Sequence, residues 1–452
     1  IGGDYELGFT NGGRFKVLAI ANESDGFACK GCKVDFPTIG NVPFLFAEPA
    51  AALGEWKSRL HMELQRLDHE MRKLAAALER EHLREATRKR LELLNVATRD
   101  HANRLLALLA PLELAEHSGA IETYLALRTR LPTDQGLHTY YPNIHRDWSW
   151  GERENDSAAE LVGDMLDQPL GKMLVLGAGP GRLAYDLHQR LTPELTVALD
   201  FNPLFTLLTR RLVDGETIEM YEFPIAPIAL EDQARLRVLR AEQPVGPNFV
   251  CVTADASRPP FRRNSFDTVV TPWVTDILPE DLEIQAARIN QLLRDDGQWL
   301  NFGSVAFDSA DPAKRYGLEE VLDMIQEQGF AHPRVDETRI PYMCSPASRH
   351  GRRERVVTIA ARKTSKAKKA PRYESLPDWL VRGDAPVPMT DTFQMQSMST
   401  RIHAFVMSMI DGKRSIQDMA QLMEEQQLMK RDEAIPVIRS FLIRMHDDSL
   451  RQ

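Results

Sequence analysis

The residues best placed to do chemistry begin at Gly177. The apolar run Met173-Leu-Val-Leu176 leads directly into Gly177-Ala-Gly-Pro-Gly181, and a helix-like segment follows from Arg182. Such a loop needs glycines because a ligand lies against bare backbone there and because the turn visits positive φ. The next apolar run, Thr196-Val-Ala-Leu, ends in Asp200. A carboxylate at the end of a second strand can accept both hydroxyls of a ribose, which suits a dinucleotide and S-adenosylmethionine equally. Three features favour the methyl donor. Gly-x-Gly-x-Gly is tighter than the pyrophosphate pattern Gly-x-Gly-x-x-Gly, and Arg182 takes the slot of the last glycine. A third run, Phe249 to Thr253, is followed by Ala254-Asp255-Ala256, where Asp255 can meet an adenine amino group. A fourth, within Ser265-Phe-Asp-Thr-Val-Val-Thr-Pro-Trp273, matches the strand that flanks a transferable methyl.

The elements that must carry these residues follow from periodicity. Between 170 and 362, β-like runs (172–176, 195–199, 249–253, 268–271, 298–302 and 355–361) alternate with helical segments. That alternation predicts an α/β fold: an open, mostly parallel, Rossmann-like sheet with helices on both faces. Upstream, from about Ala50, apolar residues recur at threes and fours. Leu60, Leu64, Leu67, Met71, Leu74 and Leu78 trace one stripe; Leu91, Leu94, Val96, Leu105, Leu106 and Leu109 trace a second. This predicts an α-helical hairpin ended by Pro111, its stripes serving as core. The expected divisions are an N-terminal segment 1–49, the hairpin 50–137, the catalytic region 138–362, a basic polar linker 363–387 and a small helical or winged-helix unit 388–452.

Composition narrows the function classes. A net charge of −9 over 452 residues argues against a general nucleic-acid binder, which needs a basic face for phosphates. No run of about 18 apolar residues offers a membrane span, and no charged-then-apolar leader opens the chain. Four cysteines in a chain this long do not make a disulfide framework, so a reducing, cytoplasmic setting is expected.

Over residues 138–362 the chain resembles the carnosine N-methyltransferase family of class I S-adenosylmethionine-dependent methyltransferases. Three stretches carry the resemblance: His145-Arg-Asp-Trp-Ser149 with Glu152, Arg153 and Asn155; Leu176-Gly-Ala-Gly-Pro-Gly-Arg-Leu-Ala-Tyr185; and Leu300-Asn-Phe-Gly303. The resemblance implies that Asn143 and Arg146 hold the cofactor's carboxylate. It implies Gly177, with Gly179, Gly181 and Arg182 of the same loop, and Asp200 at its methionine and ribose parts. Asp255 and Ala256 fall at the adenine. Asp276 falls on the acid that hydrogen-bonds a substrate imidazole, which would fix the ring tautomer and aim the other nitrogen at the methyl group. On the substrate side the chain departs from the pattern: Asp308 stands for a histidine, Pro272 for a cysteine, and Gly351-Arg352-Arg353 for a tyrosine cluster. Tyr342 is the remaining aromatic candidate there, so Asp276, Tyr342 and Asp308 form the expected catalytic set.

Three functional readings stand together. The first is an N-methyltransferase acting on an imidazole nitrogen of a histidine-derived small molecule or dipeptide. The second is the same chemistry on a peptide or protein histidine; the third is a methyltransferase-like binding protein without turnover. The C-terminal unit resembles the winged-helix peptide chaperone of pyrroloquinoline quinone biosynthesis, which implies a leader peptide bound by strand addition. Cys29-x-x-Cys32 with the following Phe-Pro run resembles half of a zinc ribbon. Tetrahedral zinc wants four ligands and no second pair precedes Cys29, so a metal-free, degenerate ribbon is expected.

Overall fold

The computed structural model describes residues 27–28, 35–47, 49–113, 137–167, 169–278, 280–309, 311–367, 386–389 and 391–451. Cys29 and Cys32, and with them the zinc question, lie outside the described residues.

The apolar runs become the middle of a seven-stranded sheet. Its strands are β1 (Lys172–Leu176), β2 (Leu195–Asp200), β3 (Phe249–Thr253), β4 (Phe266–Pro272), β5 (Leu293–Gly303), β6 (Phe330–Tyr342) and β7 (Arg352–Lys363). Their spatial order is β6-β7-β5-β4-β1-β2-β3. Neighbours from β3 through β5 pair in parallel, whereas β7 runs antiparallel to both β5 and β6. Side chains along β1 alternate between two cores. Met173 and Val175 join one cluster, Leu174 and Leu176 the other, so both faces of the strand are buried.

Helices α4 (Arg182–Leu191), α5 (Pro203–Val213), α6 (Leu282–Leu292) and α7 (Leu318–Glu327) connect the strands. The chain order reverses between β1 and β4, and in open α/β sheets ligands bind at such a switch point, beyond the carboxyl ends of the strands. There Gly177 presses on the segment that follows β4. A Cβ at Gly177 would meet Val274 Cγ2 at 2.6 Å, so only glycine lets the two loops approach.

Two elements escape the sequence pattern. β6 is not among the β-like runs of the sequence, because Phe330–Tyr342 mixes charged residues with Pro333 and Pro341. As the outermost strand it tolerates prolines whose missing N–H groups would weaken a central one. A hairpin, Ile218–Glu222 paired with Arg235–Leu239, is inserted between α5 and β3.

The N-terminal helices are α1 (Pro49–Leu78) and α2 (Glu85–Leu108). Leu60, Leu67 and Leu74 of the first stripe are buried, and Trp56 is fully so. In the second stripe Leu91, Leu105 and Leu109 are buried, but Val96 (65% exposed) and Leu106 (40%) face outward. Ala97, His101 and Leu108 take the inward positions instead, because the buried face shifts by one residue along the helix. Val42, Phe44, Trp56 and Leu105 belong to one cluster with Val175 of β1. The hydrophobic core therefore passes through the expected divisions at 49 and 137. Phe44 bridges Thr253 in parallel, and the Leu45 N–H donates to the Thr253 carbonyl at 2.8 Å. The segment before α1 thus lies along the edge strand β3.

The chain divides after Arg372 into two units. In the second, α8 (Asp391–Ser408), α9 (Ile416–Glu425) and α10 (Arg431–Arg451) enclose a core of Met409, Met419, Ala420, Met423, Ala434 and Ile438. Asp418 caps α9 by accepting from Ser415. Residues 386–389 and 391–451 contain helices and no strand among the described residues, which matches the helical form of the expected unit.

Candidate cofactor and acceptor site

The glycine loop is held open from below. Gly177, Gly179 and Gly181 have φ of +69°, +57° and +84°. Gly179 is the one with space above it, since a Cβ there would meet nothing within 4 Å. Gly181 answers a packing need: its Cβ would meet Thr209 Cγ2 at 2.4 Å. Pro180 between them is fixed from two sides. Its carbonyl accepts from Trp148 Nε1 at 2.7 Å and from Thr209 Oγ1 at 2.7 Å.

Asp200 closes the loop's floor. Its Oδ2 accepts the Gly179 N–H at 2.8 Å and its Oδ1 the Asn202 N–H at 2.9 Å. Burial pushes its carboxyl up to about 6, with the backbone donors of Asn202, Gly179 and Phe201 pulling the other way. Each oxygen has a further lone pair, so the same carboxylate can still accept ribose hydroxyls. Phe201 stacks obliquely on Trp56 at 5.8 Å between ring centres, which brings α1 against the start of this loop. Beyond β3, Asp255 turns its Oδ1 onto Ser257, accepting the N–H at 2.8 Å and the hydroxyl at 2.6 Å. Ala256 beside it is half-buried.

The segment before α3 (Glu152–Met165) supplies the next wall. Tyr141–His145 forms a helical turn and Arg146–Trp150 a π-type one, whose Gly151 N–H reaches back five residues to the Arg146 carbonyl at 2.9 Å. Single π turns recur at functional sites. A Cβ on Gly151 would meet that carbonyl at 2.2 Å, so this position admits only glycine. Arg146 is enclosed. Its Nη2 lies 2.6 Å from Asp147 Oδ1 and its Nη1 3.2 Å from Glu154 Oε1. Burial works against its charge, yet Asp147 and Glu154 more than compensate and raise it. Arg182 is likewise committed: it pairs with Asp186 at 2.8 Å, donates to the Asp147 carbonyl at 3.2 Å and lies 5.6 Å over the Trp148 ring. It clamps the glycine loop to the 146–150 turn rather than reaching over the loop's open face. Asn143, half-buried, sits on the same turn as Arg146.

The acceptor side is assembled behind β4 and β5. Asn301, in Leu300-Asn-Phe-Gly303, is buried and accepts from Thr271 Oγ1 at 2.9 Å and Thr275 Oγ1 at 2.5 Å. It thereby fixes the turn that presents Asp276. Asp276 Oδ2 accepts from the Ser304 hydroxyl and the Ala306 N–H, both at 2.8 Å. A Cβ on Gly303 would meet Trp273 Cα at 3.2 Å, so glycine lets that indole approach. Trp273 in turn meets Tyr342 at 5.0 Å between ring centres. Arg352 lies 4.7 Å over the opposite partner ring, Tyr342, so one arginine of the Gly-Arg-Arg stretch is spent on an aromatic face. A narrow crevice lined by Trp273, Asp276, Asn301, Gly303, Val305 and Phe307 runs alongside.

Trp273 thus meets Tyr342 with its ring and lines one crevice with Asp276. Asp308 stays exposed on the loop beyond Ala306, because the chain turns to solvent once Asp276 has pinned residues 304–306. Glu154, Trp148 and Ser304 escaped the motif reading as site residues. The first links the halves, its Oε2 accepting the Met343 N–H at 2.9 Å beside Tyr342. Among the described residues no cluster of three His, Cys, Asp or Glu could hold a metal.

Comparison with known proteins agrees with this geometry. Residues 174–300 match the family model described as a methyltransferase domain. The chain therefore carries a class I S-adenosylmethionine-dependent methyltransferase domain, and the open face at Gly179 above Asp200 fits that cofactor. A search of curated proteins returned no match. Solved structures similar in part include the YcgJ protein of Bacillus subtilis (13% identity, 46% of this chain and 99% of that one, TM-score 0.32). Another is a Thermotoga maritima protein described as a possible histamine N-methyltransferase (12%, 50% and 94%, TM-score 0.32). A third is phosphoethanolamine N-methyltransferase 2 of Haemonchus contortus (14%, 54% and 60%, TM-score 0.33). No described helix is long and apolar enough to cross a membrane.

Proposed function

We propose that the protein is an N-methyltransferase whose acceptor is an imidazole nitrogen of a histidine-derived small molecule. The observation that carries the reading is Asp276. Ser304 and Ala306 donate to one of its oxygens, which orients the carboxylate and leaves the other oxygen to accept an N–H from a flat ring. Trp273, which lines the same crevice and meets the Tyr342 ring, supplies an aromatic face. S-adenosylmethionine, when bound, supplies an electrophilic methyl on a positive sulfur, held by Gly177, Gly179 and Asp200 with Asp255 and Ala256 at the adenine. Asn143 and Arg146 would hold its carboxylate. What remains for the chain is positioning: a ring N–H held by Asp276 leaves the other nitrogen's lone pair free to attack, and in-line alignment sets the rate.

The test is methyl transfer from S-adenosylmethionine to L-histidine, histamine and β-alanyl-histidine. At least one is expected to be methylated on the ring, and Asp276→Asn to lower kcat by about 10²-fold with the affinity for S-adenosylhomocysteine unchanged. No product with any of the three, in protein that binds S-adenosylhomocysteine, would remove the small-molecule imidazole reading.

A second reading keeps the chemistry and moves it to a peptide histidine. It rests on the C-terminal unit, which has its own core and leaves Val387 (66%), Met389 (72%), Met395 (69%) and Met398 (51%) exposed. Flexible methionine-rich faces suit varied peptide partners.

A further inference from the structure

In an α/β sheet a crossover helix is joined to its strands by loops of about 2–6 residues. Residues 214–248, between α5 and β3, are far more than that connection needs. They hold the hairpin of Ile218–Glu222 with Arg235–Leu239, and its contacts show where the extra length goes. The neck is rooted in the core, with Met220 and Leu239 fully buried. From α2, Arg104 Nη1 donates to Glu219 Oε2 at 3.0 Å. The Tyr221 carbonyl accepts the Tyr141 hydroxyl at 3.0 Å and meets His145 Nε2 at 3.0 Å. The hairpin is thereby fastened to the turn that leads into Arg146, on the cofactor side of the cleft.

Its tip is fastened to the other side. Tyr342 ends β6, and in the loop that follows, Ser348 forms an antiparallel bridge with Pro227 of the hairpin. The Ile228 N–H donates to the Ala347 carbonyl at 3.1 Å, and the Arg349 N–H to the Ala226 carbonyl at 2.7 Å. The Arg349 side chain completes the tie: Nη2 donates to the Ile228 carbonyl at 2.7 Å and Nη1 to the Pro227 carbonyl. A planar fork suits two successive carbonyls. β3 and β6 are the opposite edges of the sheet, and seven strands about 4.8 Å apart separate those edges by roughly 30 Å. Chain connectivity gives an insertion beside β3 no reason to reach the loop after β6.

We propose that the hairpin is a strap holding the two walls of the cleft in register, and that Arg349 is a positioning residue acting through it on Tyr342. The loop 343–351 is flanked by Tyr342 and Arg352, which pair across β6 and β7, with the Arg352 guanidinium 4.7 Å over the Tyr342 ring. Glu154 holds the near end of the loop at the Met343 N–H, and the strap holds its middle at 347–349. Cutting the strap leaves Tyr342 tied from one side only. Arg349 and Ile228 are both exposed, so the tie can be cut without opening the core. The proposal rests on the cleft being a methyl-transfer site and does not need the acceptor to be an imidazole.

The experiment places 3-fluorotyrosine at position 342 of the full chain and cuts the tie from each partner in turn. Arg349→Ala removes the side-chain fork, and Ile228→Pro removes an N–H on the hairpin. Each is expected to move the ¹⁹F resonance in the same direction. The double variant should move it no further than the larger single effect, because both cut one connection. S-adenosylhomocysteine affinity should stay within about twofold. With any acceptor that the wild type methylates, KM should rise about fivefold in Arg349→Ala while kcat changes less. A resonance that stays in place in both variants would overturn the proposal, whatever their melting temperatures. Movement in Arg349→Ala alone would also sink it, since the arginine would then reach Tyr342 without the strap. Wild type that fails to bind S-adenosylhomocysteine would remove the cofactor reading and, with it, the strap's part in methyl transfer, even where the resonances move.

Discussion

The two halves of the cleft are built in different ways. The centre of the cofactor half is continuous in sequence: β1, the glycine loop, α4 and β2 follow one another from Lys172 to Asp200, and Asp200 ties the end of β2 back to the loop through the Gly179 N–H. The acceptor half draws the turn 273–276, the loop 304–306 and Tyr342 from three separate segments, joined by side chains such as Asn301, Asp276 and Glu154. A half made of one super-secondary unit depends on its own local geometry. A half made by side-chain links can be retuned one link at a time, which is where acceptor choice within a common fold would be expected to vary.

If this division is right, damage to one half should spare the other. The largest effect is expected at Asp200. Asp200→Asn should weaken S-adenosylhomocysteine binding on the order of a hundredfold, measured by calorimetry at pH 7.5. In the wild type, affinity should fall as pH drops through about 6, where burial has placed the Asp200 carboxyl, because its protonated form accepts ribose hydroxyls poorly. The variant should show no such dependence. The linkage to stability has the opposite direction. A folded-state pKa raised above the unfolded one means that stability is lost as pH rises from about 4 to about 6, and urea unfolding of wild type against variant across that range reads it.

Next in size is Glu154→Gln. It removes a charge from buried Arg146 while keeping an acceptor for Met343. About 1–3 kcal/mol of stability should go, together with acceptor turnover; because Glu154 also pairs with Arg146, S-adenosylhomocysteine affinity should fall as well, but by less than with Asp200→Asn. A loss of cofactor affinity as large as that of Asp200→Asn would show the halves to be one network. Smallest is removal of residues 373–452. With a small-molecule acceptor, cofactor affinity and turnover should both stay within about twofold; a collapse of turnover alone would favour the peptide reading.

The same contrast explains what could be read without coordinates. β1 and β3 are uninterrupted apolar runs, and the glycine loop with Asp200 is a local pattern, so their places were legible residue by residue. Asp276 was legible as a carboxylate, but its orientation is set by Ser304 and Ala306, whose partnership exists only once β4 and β5 pair. Arg182 was misleading for the converse reason. It sits in a ligand-binding loop, yet Asp186 one helical turn on and the Asp147 carbonyl claim its guanidinium. The hairpin at 218–239 was missed because Leu236 and Val238 expose their side chains, which blurs the alternation that marks a half-buried strand.

The strip of chain around Phe44 and Leu45 that lies along β3 has a consequence for how the catalytic region can be handled. A parallel strand left unpaired at the end of a sheet is a template for other chains, and β6 at the far end is blunted by Pro333 and Pro341 where β3 has no proline of its own. A polypeptide cut to begin after position 137 would keep every residue of the glycine loop but bare Thr253 and the apolar surface that Phe44 and Trp56 cover. Such a fragment should self-associate, and light scattering would reveal oligomers growing with concentration where the full chain stays dispersed.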